Sequence, residues 1–316
     1  MQKKRISKSA KQLLLAVCRW IFIITFTYLL LYPFLYILVN SFKSGSDYYD
    51  PTVQWIPKTI VFDNIIAAFQ GMKFARSMLN TVLYGLLPGV ISFCSCAVFA
   101  YGMARFEFRG KKLLSATLFL NLLVPVSALI IPTYIGFQKT DFFGILSLIS
   151  KIAGRELRPS IVDTPWAFII PAMLGVGLKC GLFIYIYMQF FKSLPRELEE
   201  AAWIDGAGSW RTFLSIIVPS SGSAAVTVLI FSVLWNYSDY YLPQVYLSEN
   251  YPLSVSLNQF RYSLGSIMEY YSNQADAVEK YVLLSACLLF LIPVIIFFLF
   301  VQKKFIAGIT TTGLVG

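Results

Sequence analysis

Five stretches of this chain carry no charged residue at all: 20–42, 77–104, 113–138, 212–238 and 281–302. A sixth, 164–191, is broken only by Lys179. A helix needs about 20 apolar residues to cross roughly 30 Å of hydrocarbon, and every one of these stretches is long enough. The chain is 57% hydrophobic and only 13% charged, against about 25% charged in soluble domains. The expected class is an all-α polytopic membrane protein with six transmembrane helices in one domain spanning 1–316. The first window is too long, and its flanks too unlike a cleavage site, for a removable signal peptide, so it is expected to remain as the first helix. The uncharged run from Phe142 to Ser150 is too short to span and is expected along the outer interface or packed in a loop.

Six helices put both termini on one side. The loops on that side hold 15 basic residues, among them Arg105, Lys111, Lys112, Lys192 and Arg196, against five acids. The opposite loops hold 10 of each, leaving Lys179 and Asp239 in or beside helices. The formal net charge of +10 therefore falls on one face, which the positive-inside rule makes cytoplasmic. A basic face also suits nucleic acid, but orientation explains it without further assumption, and no nucleic-acid partner is expected. Cys18, Cys94, Cys96, Cys180 and Cys287 lie in or beside the apolar windows and read as small packing residues, not as a disulfide framework. The chain has no His, which removes Ser-His-Asp and Cys-His catalysis and His-containing metal sites.

Along the chain, residues 1–12 form a basic tail, and the first helix is expected to be interrupted at Pro33. Turns are expected to dominate an outer segment at about 43–75. The second helix carries Gly85 and Gly89 around Pro88, so close backbone approach and a kink are expected. The third contains Asn121, Pro125 and Pro132, and the fourth Gly175, Gly177 and Gly181. A cytoplasmic loop at 192–218 leads into the fifth helix, an outer loop at 244–278 into the sixth; helices from about 76 to 243 form the core.

The cytoplasmic loop is polar and helix-forming. Pro195 suits a first helical turn, and Glu197, Glu199 and Glu200 sit where the helix dipole favours carboxylates. Ala201 and Ala202 offer a flat surface, Gly206 a left-handed stop and Ser209 an N-cap for a second short helix. Pro219 marks the entry to the fifth span. From physics alone this is either an amphipathic loop helix or a docking device.

The spacing Glu200-Ala201-Ala202, Gly206, Ile216, Pro219 resembles the EAA loop of binding-protein-dependent ABC importer permeases, with Val218 where leucine is common. Asp205-Gly206-Ala207, Trp235-Asn236 and the run from Gln302 to Thr310 are similar to the carbohydrate branch, of the maltose-permease subunit type. The segment 138–164 looks like an insertion. The resemblance implies a type I ABC importer permease fold in a bacterial plasma membrane, with N and C termini cytoplasmic. Its implied partners are a second permease subunit in a heterodimer, two cytoplasmic ATPase subunits, an extracytoplasmic solute-binding protein and a carbohydrate. ATP and magnesium would be used by the ATPase subunits, with no cofactor in this chain; no G-x-x-x-x-G-K-[ST] phosphate loop occurs in it. Glu200 would contact the ATPase, Ala201 and Ala202 would permit docking, and Gly206 would set the turn, with Asp205, Ile216 and Pro219 completing the motif.

The main rival is a secondary transporter or channel, a class that marks its pathway with intramembrane charges. At 1.5 Å per residue, Lys179 lies roughly 21 Å below the outer edge and Asp239 about 30 Å above the inner one. Direct pairing is not expected, and Lys179 is expected to snorkel towards the inner interface. Candidate sugar contacts along the pathway are Asn121, Tyr134, Trp235, Asn236 and Asp239; Tyr237, Tyr240 and Tyr241 compete with an interfacial aromatic belt. The outer segment Arg261 to Gln274, with Gly265 as a bend, is expected to touch the binding protein.

Overall fold

The computed structural model describes residues 8–141, 144–268 and 275–312. The helices of six residues or more are α1 (Lys8–Asn40), α2 (Asp63–Gly71), α3 (Phe74–Arg105), α4 (Lys111–Leu123), α5 (Val126–Gln138), α6 (Ile145–Ala153) and α7 (Trp166–Met173). They continue as α8 (Cys180–Ser193), α9 (Glu197–Ile204), α10 (Ser209–Ser220), α11 (Gly222–Ser238), α12 (Tyr241–Tyr246), α13 (Leu253–Met268) and α14 (Ala275–Thr312). Among the described residues, α1, α3 and α14 hold single apolar runs long enough to cross a membrane. Two pairs qualify when joined: α4 with α5, bent by 111°, and α10 with α11, bent by 84°. The window 164–191 is shared by α7 and α8, which the segment Leu174–Lys179 separates. Where the windows suggest one helix each, three of them hold two.

The breaks have local causes. A residue before proline is pushed out of the helical region; Val124 is extended at φ −74°, ψ 122°, and Pro125 caps α5. The helix α7 ends as Val176 N–H turns back to the Pro171 carbonyl at 2.9 Å, with Gly175 left-handed. Between α10 and α11 the chain turns at the buried Ser221, whose hydroxyl donates to the Val218 carbonyl at 2.7 Å. Proline alone does not break a helix here: α1 runs on through Pro33, against the expected interruption, as α5 and α14 do through Pro132 and Pro293.

Pro88 and Pro219 share a different solution. Each follows a five-residue π turn, Val82–Leu86 and Phe213–Ile217. Proline offers no N–H to the carbonyl four residues back and clashes with it. The wider turn, closed by Leu87 N–H to Val82 O and Val218 N–H to Phe213 O, absorbs the mismatch within an otherwise helical run. Pro88, where a kink is expected, stands just after its π turn, itself one of the features at which helices bend.

The chain forms two compact units, Met1–Gln70 with Arg261–Leu289, and Gly71–Phe260 with Phe290–Gly316. In the first, the segment after α1 is tied down by polar groups rather than by turns alone. Buried Lys43 donates to the carbonyls of Val53 and Gln54, and Asn64 of α2 to those of Ser41 and Lys43. Within this unit, the described residues leave most of α1 uncovered.

The core of the second unit lies where α3, α8, α10 and α11 meet. Ala97, Ala100, Phe183, Tyr187, Phe191, Ile217 and Val228 interlock there. Cys96 and Cys180 belong to this core as expected of packing residues, whereas Cys18 and Cys94 are exposed. Small residues set how closely α3 and α11 approach: a Cβ on Gly85 or Gly89 would lie 3.0 or 3.1 Å from the carbonyl oxygens of Asn236 and Ser232. Ser232 Oγ donates to the Gly89 carbonyl at 2.6 Å, and the expected close approach is thus supplied by α11.

Candidate functional site

Where α4, α7, α8 and α11 break or end, they leave a cavity of about 550 Å³, within the range of small-molecule sites. Four of the five pathway candidates line it: Asn121, Trp235, Asn236 and Asp239. Asn121 reaches it from α4 because Gly181 of α8 leaves room; a Cβ there would sit 2.6 Å from Asn121 Oδ1. Asn236 donates through Nδ2 to the Ser232 carbonyl at 2.8 Å, which leaves its own carbonyl oxygen for a ligand. Trp235 stacks on Phe183 and on Phe231 at centroid distances of 5.7 and 5.1 Å.

The fifth candidate, Tyr134, does not line the cavity. It stacks on Tyr246 at 6.4 Å within an aromatic cluster that includes Tyr84 and Phe168. Its place in the lining is taken by Thr133, one residue earlier, and by Tyr246. Tyr237 is also structural: it is buried and donates to the Phe290 carbonyl at 2.7 Å. Tyr240 and Tyr241 pack on each other at 4.0 Å, outside the lining.

Lys179 departs most from expectation. The depth count treated the fourth span as one straight helix; because it is broken, Lys179 lines the same cavity as Asp239 instead of snorkelling away. Lys179 is left-handed at φ 59°, caps α8, and carries its ammonium 5.9 Å from the Trp235 ring centroid. No ion pair joins it to Asp239 among the described residues.

The second element is the loop between α8 and α11. The helix α9 buries Glu199 and Ala202, three residues apart and so on one face. Glu200, Ala201 and Ile204 occupy the opposite, exposed face. The two alanines therefore do not form one docking surface: Ala202 faces the body of the chain and Ala201 faces outward. Glu199, grouped in the sequence with the dipole-favoured carboxylates, instead meets Arg105 at the end of α3, Nε to Oε1 at 3.0 Å. Arg105 also donates through Nη2 to the Leu194 carbonyl at 3.0 Å, which fixes the entry to the loop.

The stop at Gly206 has the expected form. Ala207 N–H reaches the Ala202 carbonyl at 2.9 Å and Gly206 N–H the Trp203 carbonyl at 3.0 Å. This pair of bonds requires a left-handed residue at the turn, and Gly206 has φ 78°. Asp205 is the C-cap before it. The second short helix is capped by Gly208, not Ser209, which becomes the first helical residue. Ile216 is half-buried in the π turn, and Pro219 is exposed two residues before the bend at Ser221. Exposed Ile204 and Trp210 (86% and 65%) give the loop an apolar outer surface.

Broken apolar helices around a largely apolar cavity that carries a few polar side chains, with a fastened loop helix on the same chain, are an arrangement suited to a membrane permease. The model of the binding-protein-dependent transport system inner membrane component family matches residues 96–311, and the chain belongs to that family. It is an ABC importer permease of the inner membrane that works with ATPase and binding-protein partners, and is not itself an enzyme. This sets aside the secondary transporter or channel.

The diacetylchitobiose uptake system permease protein NgcG of Streptomyces coelicolor is 29% identical over 92% of this chain and 86% of its own length. The trehalose transport system permease protein SugB of Mycobacterium tuberculosis is 29% identical over 90% and 93%. The arabinooligosaccharides transport system permease protein AraQ of Bacillus subtilis is 24% identical over 94% of each chain. A crystal structure of a bacterial ABC transporter involved in the import of the acidic polysaccharide alginate shares the fold, with TM-score 0.69 at 21% identity over 95% and 98%.

Proposed function

We propose that this chain is one of two permease subunits of an ATP-driven importer, and that it passes a saccharide from an extracytoplasmic binding protein to the cytoplasm. The observation that carries the reading is the two-sided helix α9. Glu199 and Ala202 fasten it to the chain, while Glu200, Ala201 and Ile204 stay exposed for a partner. In this reading Glu200 contacts a cytoplasmic ATPase subunit, Ala201 permits close approach and Gly206 fixes the angle. Asp205, Ile216 and Pro219 carry the movement into α11 and so to Trp235 and Asn236 at the cavity.

The chain crosses the membrane six times with both termini cytoplasmic, in keeping with the one-sided charge. The helix α1, whose apolar surface the described residues of its own unit leave uncovered, wraps the second permease subunit. The saccharide class is supported by the relatives' transport of diacetylchitobiose, trehalose and arabinooligosaccharides, and by an indole and two carboxamides in one cavity. The outer segment from Arg261 bears on the binding protein; α13 covers it to Met268, and 269–274 lie outside the described residues. The test is uptake by the complete complex in proteoliposomes, using the saccharide that most stabilises the binding protein against heat. Vanadate should abolish uptake and ionophores should not; the reverse pattern would defeat the reading.

A further inference from the structure

Two charged side chains line the cavity, and their situations differ. The Asp239 carboxylate is engaged by its own chain: Oδ1 accepts the Tyr241 N–H at 3.1 Å, at the start of α12. Lys179 has no carboxylate within ion-pair distance among the described residues. Its neighbour is the Trp235 ring, 5.9 Å from ammonium to centroid. An indole attracts a cation but does not neutralise it.

The position is also built rather than incidental. A lysine held in the left-handed region is strained, and such strain collects at functional sites. Here Lys179 is held at φ 59° while its carbonyl accepts the N–H groups of Leu182 and Phe183 at 3.0 and 3.3 Å. Ionisable residues within a membrane protein's spans mark substrate paths, and this one lines the cavity that Asn236 also lines, whose carbonyl oxygen suits a sugar hydroxyl.

We propose that Lys179 is the contact for a carboxylate on the transported saccharide, so that the cavity favours acidic saccharides over neutral ones. The inference rests on the saccharide reading above. The carboxylate then lies at Lys179, and the saccharide's hydroxyls meet the carboxamides of Asn121 and Asn236 that line the same cavity.

The experiment compares uptake of a panel of uronate-containing di- to tetrasaccharides with neutral counterparts of the same linkage, by the whole complex in proteoliposomes. Wild-type complex should favour acidic members. Lys179→Gln should lower the acidic-to-neutral ratio about tenfold or more, as loss of one charge-assisted hydrogen bond implies, and Lys179→Arg should restore most of it. A folding defect lowers both rates together and leaves the ratio in place. An unchanged ratio in Lys179→Gln overturns the proposal. Wild-type uptake of neutral members only overturns it while leaving the saccharide reading intact. If no saccharide is taken up or stimulates ATP hydrolysis, the saccharide reading itself falls, and this inference with it.

Discussion

Arg105 Nε lies 3.0 Å from Glu199 Oε1, with the two side chains only 6% and 5% exposed. The contact ties the last residue of α3, a core helix, to the buried face of α9, and Arg105 holds the Leu194 carbonyl as well. It is an ionic contact: neither atom has an aligned hydrogen-bond partner. Removing one member of a buried pair strands the other and costs about 3–5 kcal/mol, whereas replacing both by apolar groups is often close to neutral. Glu199→Leu or Arg105→Leu alone should therefore lower the complex's thermal midpoint and uncouple ATP hydrolysis from uptake, while the double variant recovers much of the stability. Additive losses in a double-mutant cycle would show that the pair does not act as a unit.

Gly206 tests the turn separately from the anchor. Its φ of 78° is strained for any residue with a β-carbon, yet a Cβ there would meet nothing within 4 Å. The cost of Gly206→Val is then conformational, on the order of 1–2 kcal/mol, without steric damage to the core. The chain should insert and assemble, while substrate-stimulated ATP hydrolysis falls several-fold because α9 leaves at the wrong angle. Wild-type stimulation in Gly206→Val would show that the turn does not aim the helix.

A pH effect is expected at Asp163, in the loop before α7. Its carboxylate accepts the Ser248 N–H at 3.0 Å and the Ser248 hydroxyl, and these bonds hold it below the usual carboxylate range. A lowered folded pKa means that the tie is fully present above the unfolded value of about 3.9 and is lost as pH falls through the folded one. Hydrogen exchange at the Ser248 amide, corrected for the intrinsic rate, should show protection that is flat at neutral pH and lost in acid. Asp163→Ala should lack it throughout; equal protection in that variant would contradict the tie.

The membrane class and the loop motif were legible because both are written locally, in runs of apolar residues and in a fixed spacing. The facing of individual residues was not. Glu199 and Glu200 are neighbours of one type, and which turns inward depends on the phase of α9 against Arg105, far earlier in the chain. Lys179 was misplaced because a depth count assumes an unbroken helix, and the break at Leu174–Lys179 rests on a left-handed Gly175 and Lys179. Prolines gave a mixed signal: the residue before Pro125 left the helical region, while Pro33 and Pro132 sit inside helices that continue. Tyr134 looked equal to Trp235 as a sugar contact, but only packing decides that it stacks on Tyr246.

The most direct test of the account is retention of the ATPase subunits on washed membranes by Glu200→Lys, measured with uptake on the same preparation. Glu200 is exposed and, among the described residues, its side chain is in no ion pair, so the variant should insert and the binding protein should still take its sugar. A charge left mispaired in a desolvated contact costs about 2–5 kcal/mol, so ATPase retention and uptake should fall together by tenfold or more. Full uptake with firmly bound ATPase would mean that the outer face of α9 is not the coupling surface.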